Sequence, residues 1–279
     1  MREKGNVEEI RDIKLFLFDL DGTLYLGEQL YSFTKELLGE IRRQGKHYLF
    51  MTNNSSRGVD AYVAKMKRLG IESTEEDFIT SVMATSAYVN KNYPGLKFYV
   101  AGTESFKKEL RESGVNLTDE YSDDVQGVIQ GFDTELTFKK LDDVSKLLTL
   151  KDIPFIAANP DYVCPTEYGF VPDCGSVCGM LKNATGKEPY YIGKPRPEMV
   201  YFAVDRIHKK DTGVCIDNTM VVGDRMYTDI ASGINAKAKT CLVLSGETTE
   251  EQAYNNDYKI DYILRDGGRI LEELKRGAV

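Results

Sequence analysis

Short apolar runs alternate with helical patterns along most of the 279-residue chain, and this alternation constrains the fold more than any other feature. The first run, Ile13–Phe18, is almost wholly apolar, which is typical of a strand buried on both faces of a sheet. Helical patterns follow at 33–43 and 59–69, and a glycine comes soon after the end of each. Further strand-like runs lie at 47–51, 190–192, 220–222, 240–244 and 261–264. The pattern predicts an α/β fold with a doubly wound parallel sheet, covered by helices on both faces.

Composition narrows the classes of protein that this chain can be. Hydrophobic residues make up 42% of it and charged residues 29%, which is enough for a packed core. The formal net charge of −8 argues against a general nucleic-acid binder, since such a protein needs a basic surface. The negative net charge does not exclude small anionic substrates, because a bound cation can reverse the sign of the local electrostatic field. No run reaches about 18 consecutive apolar residues, so no membrane span is expected.

The cysteines indicate a reducing compartment. The chain has five of them, Cys164, Cys174, Cys178, Cys215 and Cys241. Their odd number, and a charged first segment without an apolar signal region, predict reduced thiols in a cytoplasmic protein. Cys174 and Cys178 are four residues apart, but both histidines of the chain are distant from them. We therefore expect small buried thiols on a helix there rather than a zinc site.

Polar residues directly follow four of the predicted strands. The clusters are Asp19-Leu20-Asp21-Gly22-Thr23, Thr52-Asn53-Asn54-Ser55, Gly193-Lys194-Pro195, and Gly223-Asp224 with Asp229 five residues on. Each cluster alone could be an ordinary turn or helix cap. In an open parallel sheet, however, the ligand crevice lies at the carboxyl ends of the strands, so we expect the four clusters to converge.

The chemistry of this set points to phosphoryl transfer. The sequence contains neither a glycine-rich phosphate loop nor a Gly-x-Ser-x-Gly motif, and its two histidines are badly placed for a Ser-His-Asp triad. An aspartate can attack phosphorus and form an acyl phosphate. Because phosphate and the acidic side chains are all negative, a hard divalent cation is required, and Mg²⁺ fits.

These motifs resemble, in the right order, the four motifs of the haloacid dehalogenase-like hydrolase superfamily. Asp19-Leu20-Asp21-Gly22-Thr23 resembles its first motif, and Thr52, Lys194 and Gly223-Asp224-x4-Asp229 resemble the other three. The likeness extends to Asn159-Pro160-Asp161, Val171-Pro172-Asp173-x-Gly175 and Gly193-Lys194-Pro195-x-Pro197. With these segments the chain resembles the class IIA branch with a large C2-type cap, which contains the NagD nucleotide phosphatase, 4-nitrophenylphosphatases, phosphoglycolate phosphatase and pyridoxal phosphatase.

The resemblance implies a role for each motif residue. Asp19 would be the nucleophile and Asp21 the general acid/base. The residues that would hold the transferring phosphoryl group are Thr52, Asn53 and Lys194, with Asn54 as an additional donor. Mg²⁺ would be held by the Asp19 carboxylate, the Asp21 backbone carbonyl and the Asp224 carboxylate. Asp229 would orient Lys194 or a metal-bound water. Superfamily dehalogenases lack an acid at the Asp21 position and ion-pumping ATPases have threonine there, so Asp21 favours rapid hydrolysis.

The spacing of the motifs predicts a second domain. The interval from Thr52 to Lys194 is far longer than one βα repeat, whereas the other intervals between motifs match one repeat. Within it we expect strands at 97–100, 126–130 and 154–158, and helices at 104–113, 138–148 and 175–183. The sequence thus predicts a core at 1–81 and 189–279 and an inserted α/β cap at 82–188.

A cap limits the substrates that this fold can accept. It excludes water and favours small phosphorylated metabolites over folded phosphoproteins. The cap-loop residues that could face such a substrate are Asn159, Asp161, Tyr162 and Asp173, with ordinary turn roles as the alternative. Pyridoxal phosphatase has a histidine at roughly the Tyr162 position, so pyridoxal phosphate is disfavoured here. Relatives can dimerise through their caps, which leaves a homodimer open.

The favoured hypothesis is a Mg²⁺-dependent phosphatase that acts on small phosphomonoesters through an aspartyl-phosphate. Sugar phosphates, nucleotides and 4-nitrophenyl phosphate are the substrate types considered. Two alternatives stay open: a phosphotransferase or phosphomutase with the same nucleophile, and a non-catalytic regulator that binds phosphate. The sequence does not identify the physiological substrate.

Overall fold

The chain folds into two compact units. The computed structural model describes residues 3–56, 58–166 and 168–277. The first unit contains Met1–Thr52, Tyr62–Ile79 and Lys194–Val279, and the second contains Asn53–Ala61 and Thr80–Gly193. The predicted cap boundaries, 82 and 188, fall inside the second unit, which also takes in residues 53–61.

Strands and helices alternate along both units. The strands are β1 (Leu15–Phe18), β2 (Tyr25–Leu26), β3 (Gln29–Leu30), β4 (His47–Thr52), β5 (Phe78–Thr80), β6 (Phe98–Ala101), β7 (Leu117–Thr118), β8 (Gly127–Gln130), β9 (Phe155–Ala157), β10 (Val163–Thr166), β11 (Gly169–Pro172), β12 (Tyr190–Tyr191), β13 (Thr219–Gly223), β14 (Lys239–Val243) and β15 (Tyr262–Leu264). The α-helices are α1 (Thr34–Arg43), α2 (Val59–Arg68), α3 (Ser81–Asn92), α4 (Glu104–Glu112), α5 (Phe138–Leu150), α6 (Cys174–Thr185), α7 (Glu198–His208), α8 (Ala231–Ala236), α9 (Glu250–Tyr254) and α10 (Gly268–Arg276). Within the described residues, none of these helices combines the length and apolar character that crossing a membrane would need.

The sheet of the first unit is built around β1. Its strand order is β15-β14-β13-β1-β4-β5, and β1 pairs in parallel with β13 and β4. All four residues of β1 are buried, as expected for an apolar strand with neighbours on both sides. Phe18 lies opposite both Val222 and Phe50 in this register. The carboxyl ends of β13, β1 and β4 are therefore adjacent, and the residues that follow them start from one edge of the sheet.

The second unit has its own parallel sheet, in the order β12-β9-β8-β6-β7. Its core joins apolar residues of β6, β8 and β9 to residues of α5 and α6. An antiparallel hairpin, β10–β11, leads into α6. The predicted α/β fold and the three strands predicted in this region are confirmed. The hairpin and the edge strand β5 were not indicated by the sequence, because both are short and lack a clear apolar pattern.

One predicted strand belongs to a different sheet from the one expected. The run at 190–192 was expected to lie in the core sheet and to lead there into Lys194, but β12 pairs with Ile156 and Ala157 of β9. Backbone N–H groups of the next two residues extend this ladder to the carbonyls of Ala157 and Ala158, at 3.0 and 2.9 Å. Tyr190 also stacks on Tyr88 of the same unit, with ring centroids 5.1 Å apart. The expectation was wrong because a two-residue run does not specify which strand it pairs with.

The neighbouring cysteines of α6 are buried thiols, as predicted. Cys174 and Cys178 are 0% and 1% exposed and pack in the core of the second unit. Asp173 begins the helix as its N-cap, and Gly186, with φ of 71°, ends it in the left-handed conformation. Among the described residues, none of the five cysteines forms a disulfide.

Candidate active site

The first acidic motif begins where β1 ends. The backbone N–H of Asp19 donates to the carbonyl of Val222 at 2.8 Å, so this residue continues the ladder to β13. The chain then turns, and the N–H of Gly22 donates to the carbonyl of Tyr25 at 2.7 Å. Asp19 is partly buried at the sheet edge, whereas Asp21, in the turn, is exposed. The two carboxylates thus differ in their access to solvent.

The glycine of this motif is required by both its conformation and its surroundings. Gly22 has φ of +80°, a region that residues with a Cβ rarely adopt. A Cβ placed there would lie 2.4 Å from Oδ2 of Asp224. The absence of a side chain therefore lets the turn after β1 pack directly against the carboxylate that follows β13.

Lys194 joins two acidic residues from a buried position. Its Nζ donates to Oδ1 of Asp19 at 2.6 Å, to Oδ1 of Asp229 at 2.7 Å and to the carbonyl of Met51 at 3.2 Å. Burial alone would lower the pKa of Lys194, but the charges of Asp19 and Asp229 raise it above its usual value. The ammonium group is therefore charged at neutral pH and held beside Asp19.

Asp229 lies in a π-helical turn, Met226–Ile230, and is fully buried. Its Oδ1 faces Lys194, and its Oδ2 accepts from the backbone N–H of Arg225 at 3.1 Å. Burial raises the pKa of Asp229 to about 7, Lys194 opposes this rise, and the charges of Asp19 and Asp224 add to it. Both oxygens of this carboxylate are thus engaged by the protein.

Asp224 has one engaged oxygen and one open one. Its Oδ2 accepts from the backbone N–H of Glu247 at 2.6 Å, whereas its Oδ1 is buried and has no hydrogen-bond partner among the described residues. Burial, followed by the charge of Asp19, raises the pKa of Asp224 to about 6. One carboxylate oxygen from each of Asp19, Asp224 and Asp229 lies within 4.8 Å of the others. An open, buried carboxylate oxygen in such a group fits a hard divalent cation such as Mg²⁺.

The loop after β14, Ser245–Thr248, surrounds Asp224 and was missed by sequence reasoning. Besides the Glu247 contact, the hydroxyl of Thr248 donates to the backbone carbonyl of Asp224 at 2.5 Å. The hydroxyl of Ser245 donates to the carbonyl of Gly22 at 2.7 Å. A signal was available, because this polar segment follows the predicted strand 240–244 as the other clusters follow theirs.

The second polar cluster divides between the two units. Thr52 is the last residue of β4 and is buried in the first unit, whereas Asn53 and Asn54 belong to the second. The side-chain oxygen of Asn54 accepts from the N–H and the hydroxyl of Ser56, at 2.9 and 2.8 Å. Asn54 therefore shapes the loop that follows β4.

Asn53 is held by hydrogen bonds within the second unit. Its backbone carbonyl accepts from the hydroxyl of Ser81 at 2.7 Å and from Nδ2 of Asn159 at 3.0 Å. Its own Nδ2 donates to Oδ2 of Asp161 at 3.0 Å. The N–H of Asp161 in turn donates to Oδ1 of Asn159 at 3.1 Å. These contacts give Asn159 and Asp161 a direct part in orienting Asn53.

The remaining two cap-loop candidates lie in contrasting environments. Tyr162 is 70% exposed. Asp173 is buried and accepts from the N–H of Cys174 at 2.5 Å as the cap of α6. Burial raises the pKa of Asp173 to about 7, and the nearby charge of Asp161 acts in the same direction. The capping contact gives Asp173 a structural role at the start of α6, and a contact with substrate stays a prediction.

Of the residues singled out in the sequence, Asp19, Lys194, Asp224 and Asp229 form one contiguous group in the first unit. Gly22 joins the turn that carries Asp21 to this group through its close approach to Asp224. The network of Asn53, Asn159 and Asp161 belongs to the second unit.

Several known proteins with similar sequences or structures are named as phosphatases. Residues 16–116 match the family model described as haloacid dehalogenase-like hydrolase, and residues 191–268 match one described as HAD-hydrolase-like. An acid sugar phosphatase of Staphylococcus haemolyticus is 31% identical over 271 residues, which cover 96% of this chain and 99% of that protein. The crystal structure of a 4-nitrophenylphosphatase from Thermotoga maritima has a TM-score of 0.85 at 34% identity, covering 96% of this chain and 98% of that one. A glycerol phosphate phosphatase from Mycobacterium tuberculosis, in complex with magnesium, has a TM-score of 0.85 at 29% identity, covering 98% of this chain and 80% of that one.

Proposed function

Because this chain belongs to the haloacid dehalogenase-like hydrolases, in the branch of the 4-nitrophenylphosphatases, we propose that it is a Mg²⁺-dependent phosphatase of small phosphomonoesters that works through an aspartyl-phosphate. The observation that carries this proposal is the group of charges after β1. Lys194 holds one oxygen of Asp19, and the open oxygen of Asp224 faces no protein donor among the described residues. Such a group would supply a nucleophile, a fixed positive charge and a carboxylate oxygen that can bind a cation.

The nucleophile in this scheme is the Asp19 carboxylate. One of its oxygens attacks phosphorus, the bond from phosphorus to the leaving oxygen breaks, and Asp21 gives that oxygen a proton. Water then attacks the phosphorus of the aspartyl-phosphate, and Asp21 takes a proton from the water. The bond from phosphorus to the Asp19 oxygen breaks, which releases inorganic phosphate and regenerates the Asp19 carboxylate. The exposed position of Asp21 suits this role, because its proton must reach a group that departs into solvent.

The remaining residues of the site would bind the phosphoryl oxygens and the cation. Lys194 and the hydroxyl of Thr52 would hold the phosphoryl oxygens, together with Asn53. The residues that would hold Mg²⁺ are Asp19, Asp224 and, through its backbone carbonyl, Asp21. When bound, the cation neutralises the negative charges that the phosphate and carboxylates bring together. Asp229, with one oxygen on Lys194 and the other on a backbone N–H, would keep the lysine in place.

The substrates that we propose are sugar phosphates and related small phosphomonoesters. This follows the names of the relatives, an acid sugar phosphatase, a 4-nitrophenylphosphatase and a glycerol phosphate phosphatase. The bonds that tie Asn159 and Asp161 to Asn53 support a role for both residues in orienting Asn53, a proposed ligand of the phosphoryl group. A cytoplasmic location and a homodimer stay predictions from the sequence.

Hydrolysis of 4-nitrophenyl phosphate tests the proposal directly. We expect release of nitrophenol with Mg²⁺, loss of release in EDTA, and loss in Asp19→Asn. Acid quenching of Asp21→Asn during turnover, followed by mass spectrometry of its peptides, should find one phosphoryl group on Asp19. Full activity of Asp19→Asn would refute the mechanism. Transfer of the phosphoryl group to added sugar in preference to water would favour the phosphotransferase alternative, and phosphate binding without turnover would favour the regulator.

A further inference from the structure

An ion pair next to the proposed metal ligand joins the two loops that meet there. Nε of Arg225, the residue after Asp224, lies 2.8 Å from Oε2 of Glu247. The contact is an ion pair rather than an aligned hydrogen bond, since this Nε donates to no described residue. The side chains are 36% and 49% exposed, so the pair lies at the rim of the site.

The backbones of the same two residues are bonded to carboxylates of the site. The N–H of Glu247 donates to Oδ2 of Asp224, and the N–H of Arg225 donates to Oδ2 of Asp229. The next residue, Thr248, donates both its hydroxyl and its N–H to the carbonyl of Asp224, at 2.5 and 3.2 Å. The ion pair therefore closes a ring of contacts. In this ring the Ser245–Thr248 loop is bonded to Asp224 and is joined through Glu247 to Arg225.

This ring determines which oxygen of Asp224 is available to a cation. Oδ2 accepts from the Glu247 N–H, whereas Oδ1 is buried and accepts from none of the residues that the structure describes. A free Ser245–Thr248 loop would let the carboxylate rotate, and either oxygen could then be lost to solvent. Groups that orient a metal ligand in this way commonly change metal affinity by about 10–100-fold.

We propose that the Arg225–Glu247 ion pair positions Asp224 for metal binding, by holding the Ser245–Thr248 loop on its Oδ2. The inference rests on the proposed function, in which Asp224 is a Mg²⁺ ligand. Arg225 and Glu247 are positioning residues here, since neither is assigned a contact with the cation or the substrate. A positioning role differs from a simple charge effect of Arg225 on the cation, because the two predict opposite changes in Mg²⁺ affinity when Arg225 is removed.

Isothermal titration calorimetry of Mg²⁺ binding to the substrate-free protein separates the positioning role from the charge effect. Removal of a nearby positive charge should strengthen binding of a cation by Coulomb's law. If the ion pair positions Asp224, Arg225→Ala should instead weaken Mg²⁺ binding by about ten-fold, as should Glu247→Ala. The double variant should be no weaker than the weaker single variant, because both changes break the same contact. Exchanging the charges in Arg225→Glu/Glu247→Arg should restore part of the affinity.

Arg265→Ala is a matched control. It breaks an ion pair to Glu272 of the same length, 2.8 Å, and of similar exposure, 52% and 45%, and should leave Mg²⁺ binding unchanged. The melting temperature in EDTA should be the same for wild type and pair variants, with only the Mg²⁺-induced increase reduced. A melting temperature that falls equally in EDTA and in Mg²⁺ would assign the pair a purely structural role and overturn the proposal.

Tighter Mg²⁺ binding by Arg225→Ala, or unchanged binding by both single variants, would also overturn the inference. If Asp224→Asn still loses Mg²⁺ binding in that case, the proposed function stands and only the role of the ion pair is wrong. If wild-type protein neither binds Mg²⁺ nor needs it for hydrolysis, the proposed function itself fails.

Discussion

Asp224→Asn should stabilise the metal-free protein while removing its response to Mg²⁺. Burial and the charge of Asp19 raise the pKa of Asp224 from an ordinary 3.8 to about 6. Since a pKa difference of one corresponds to about 1.4 kcal/mol, keeping this carboxylate ionised at pH 8 costs the folded protein about 3 kcal/mol relative to the unfolded chain. The neutral amide avoids this cost, and the weaker hydrogen bond from Glu247 is not subtracted again, because that bond already lowers the pKa from which the cost is worked. The gain is therefore about 3 kcal/mol, or several degrees in melting temperature.

The raised pKa of Asp224 also predicts how the stability of the metal-free protein changes with pH. A carboxyl group whose pKa is higher in the folded state stabilises the protein below its unfolded pKa of about 4, and this stabilisation is lost as pH rises through about 6. The wild-type melting temperature in EDTA should therefore fall between pH 4 and 7, and Asp229, with its pKa raised to about 7, should contribute in the same direction. In Asp224→Asn the fall should be smaller.

Thermal unfolding followed by circular dichroism, in EDTA and in excess Mg²⁺, measures both effects. Wild-type protein at pH 8 should gain several degrees on adding Mg²⁺, because the cation binds the ionised folded form. Asp224→Asn should start higher in EDTA and gain nothing. A variant that melts below wild type in EDTA at pH 8, or that responds equally to Mg²⁺, would refute the assignment of Asp224 as a strained, open metal ligand.

Substitutions at three further positions test other contacts of the site residues. Lys194→Met leaves its buried carboxylate partners without a counter-charge, so it should abolish turnover and lower the free energy of unfolding by about 3–5 kcal/mol in EDTA, as measured by urea denaturation. Gly22→Ala puts a methyl group against the carboxylate of Asp224, so it should reduce Mg²⁺ affinity in calorimetry, and unchanged affinity would contradict the packing described. Asp161→Ala removes an acceptor of the Asn53 side-chain N–H and should raise KM for 4-nitrophenyl phosphate more than it lowers kcat. Asp161→Asn keeps an acceptor and should stay near wild type, and equal effects of the two changes would exclude the positioning role.

Local sequence patterns predicted much of the core. The apolar run before Asp19 indicates a strand with neighbours on both sides, because a strand in that position buries all of its side chains. In the structure this strand, β1, lies between β13 and β4. The geometry of parallel sheets then brings residues at strand ends to one edge, whatever their separation in sequence. For this reason the proximity of Asp19, Asp224 and Asp229 could be predicted without knowing the fold in detail.

What the sequence determined by itself was the alternation of the main strands and helices, the polar residues that follow strands, and the family. These follow from local residue patterns and from the order and spacing of the motifs. Only the tertiary structure decided that Tyr190–Tyr191 joins the second sheet, that the Asn53 amide is bound by Asp161, and that the Glu247 backbone leaves one oxygen of Asp224 open. Each of these depends on which of several equivalent donors and acceptors meet after the chain has packed. Hydrogen-bond partners of this kind are set by long-range backbone positions, which no local pattern of side chains encodes.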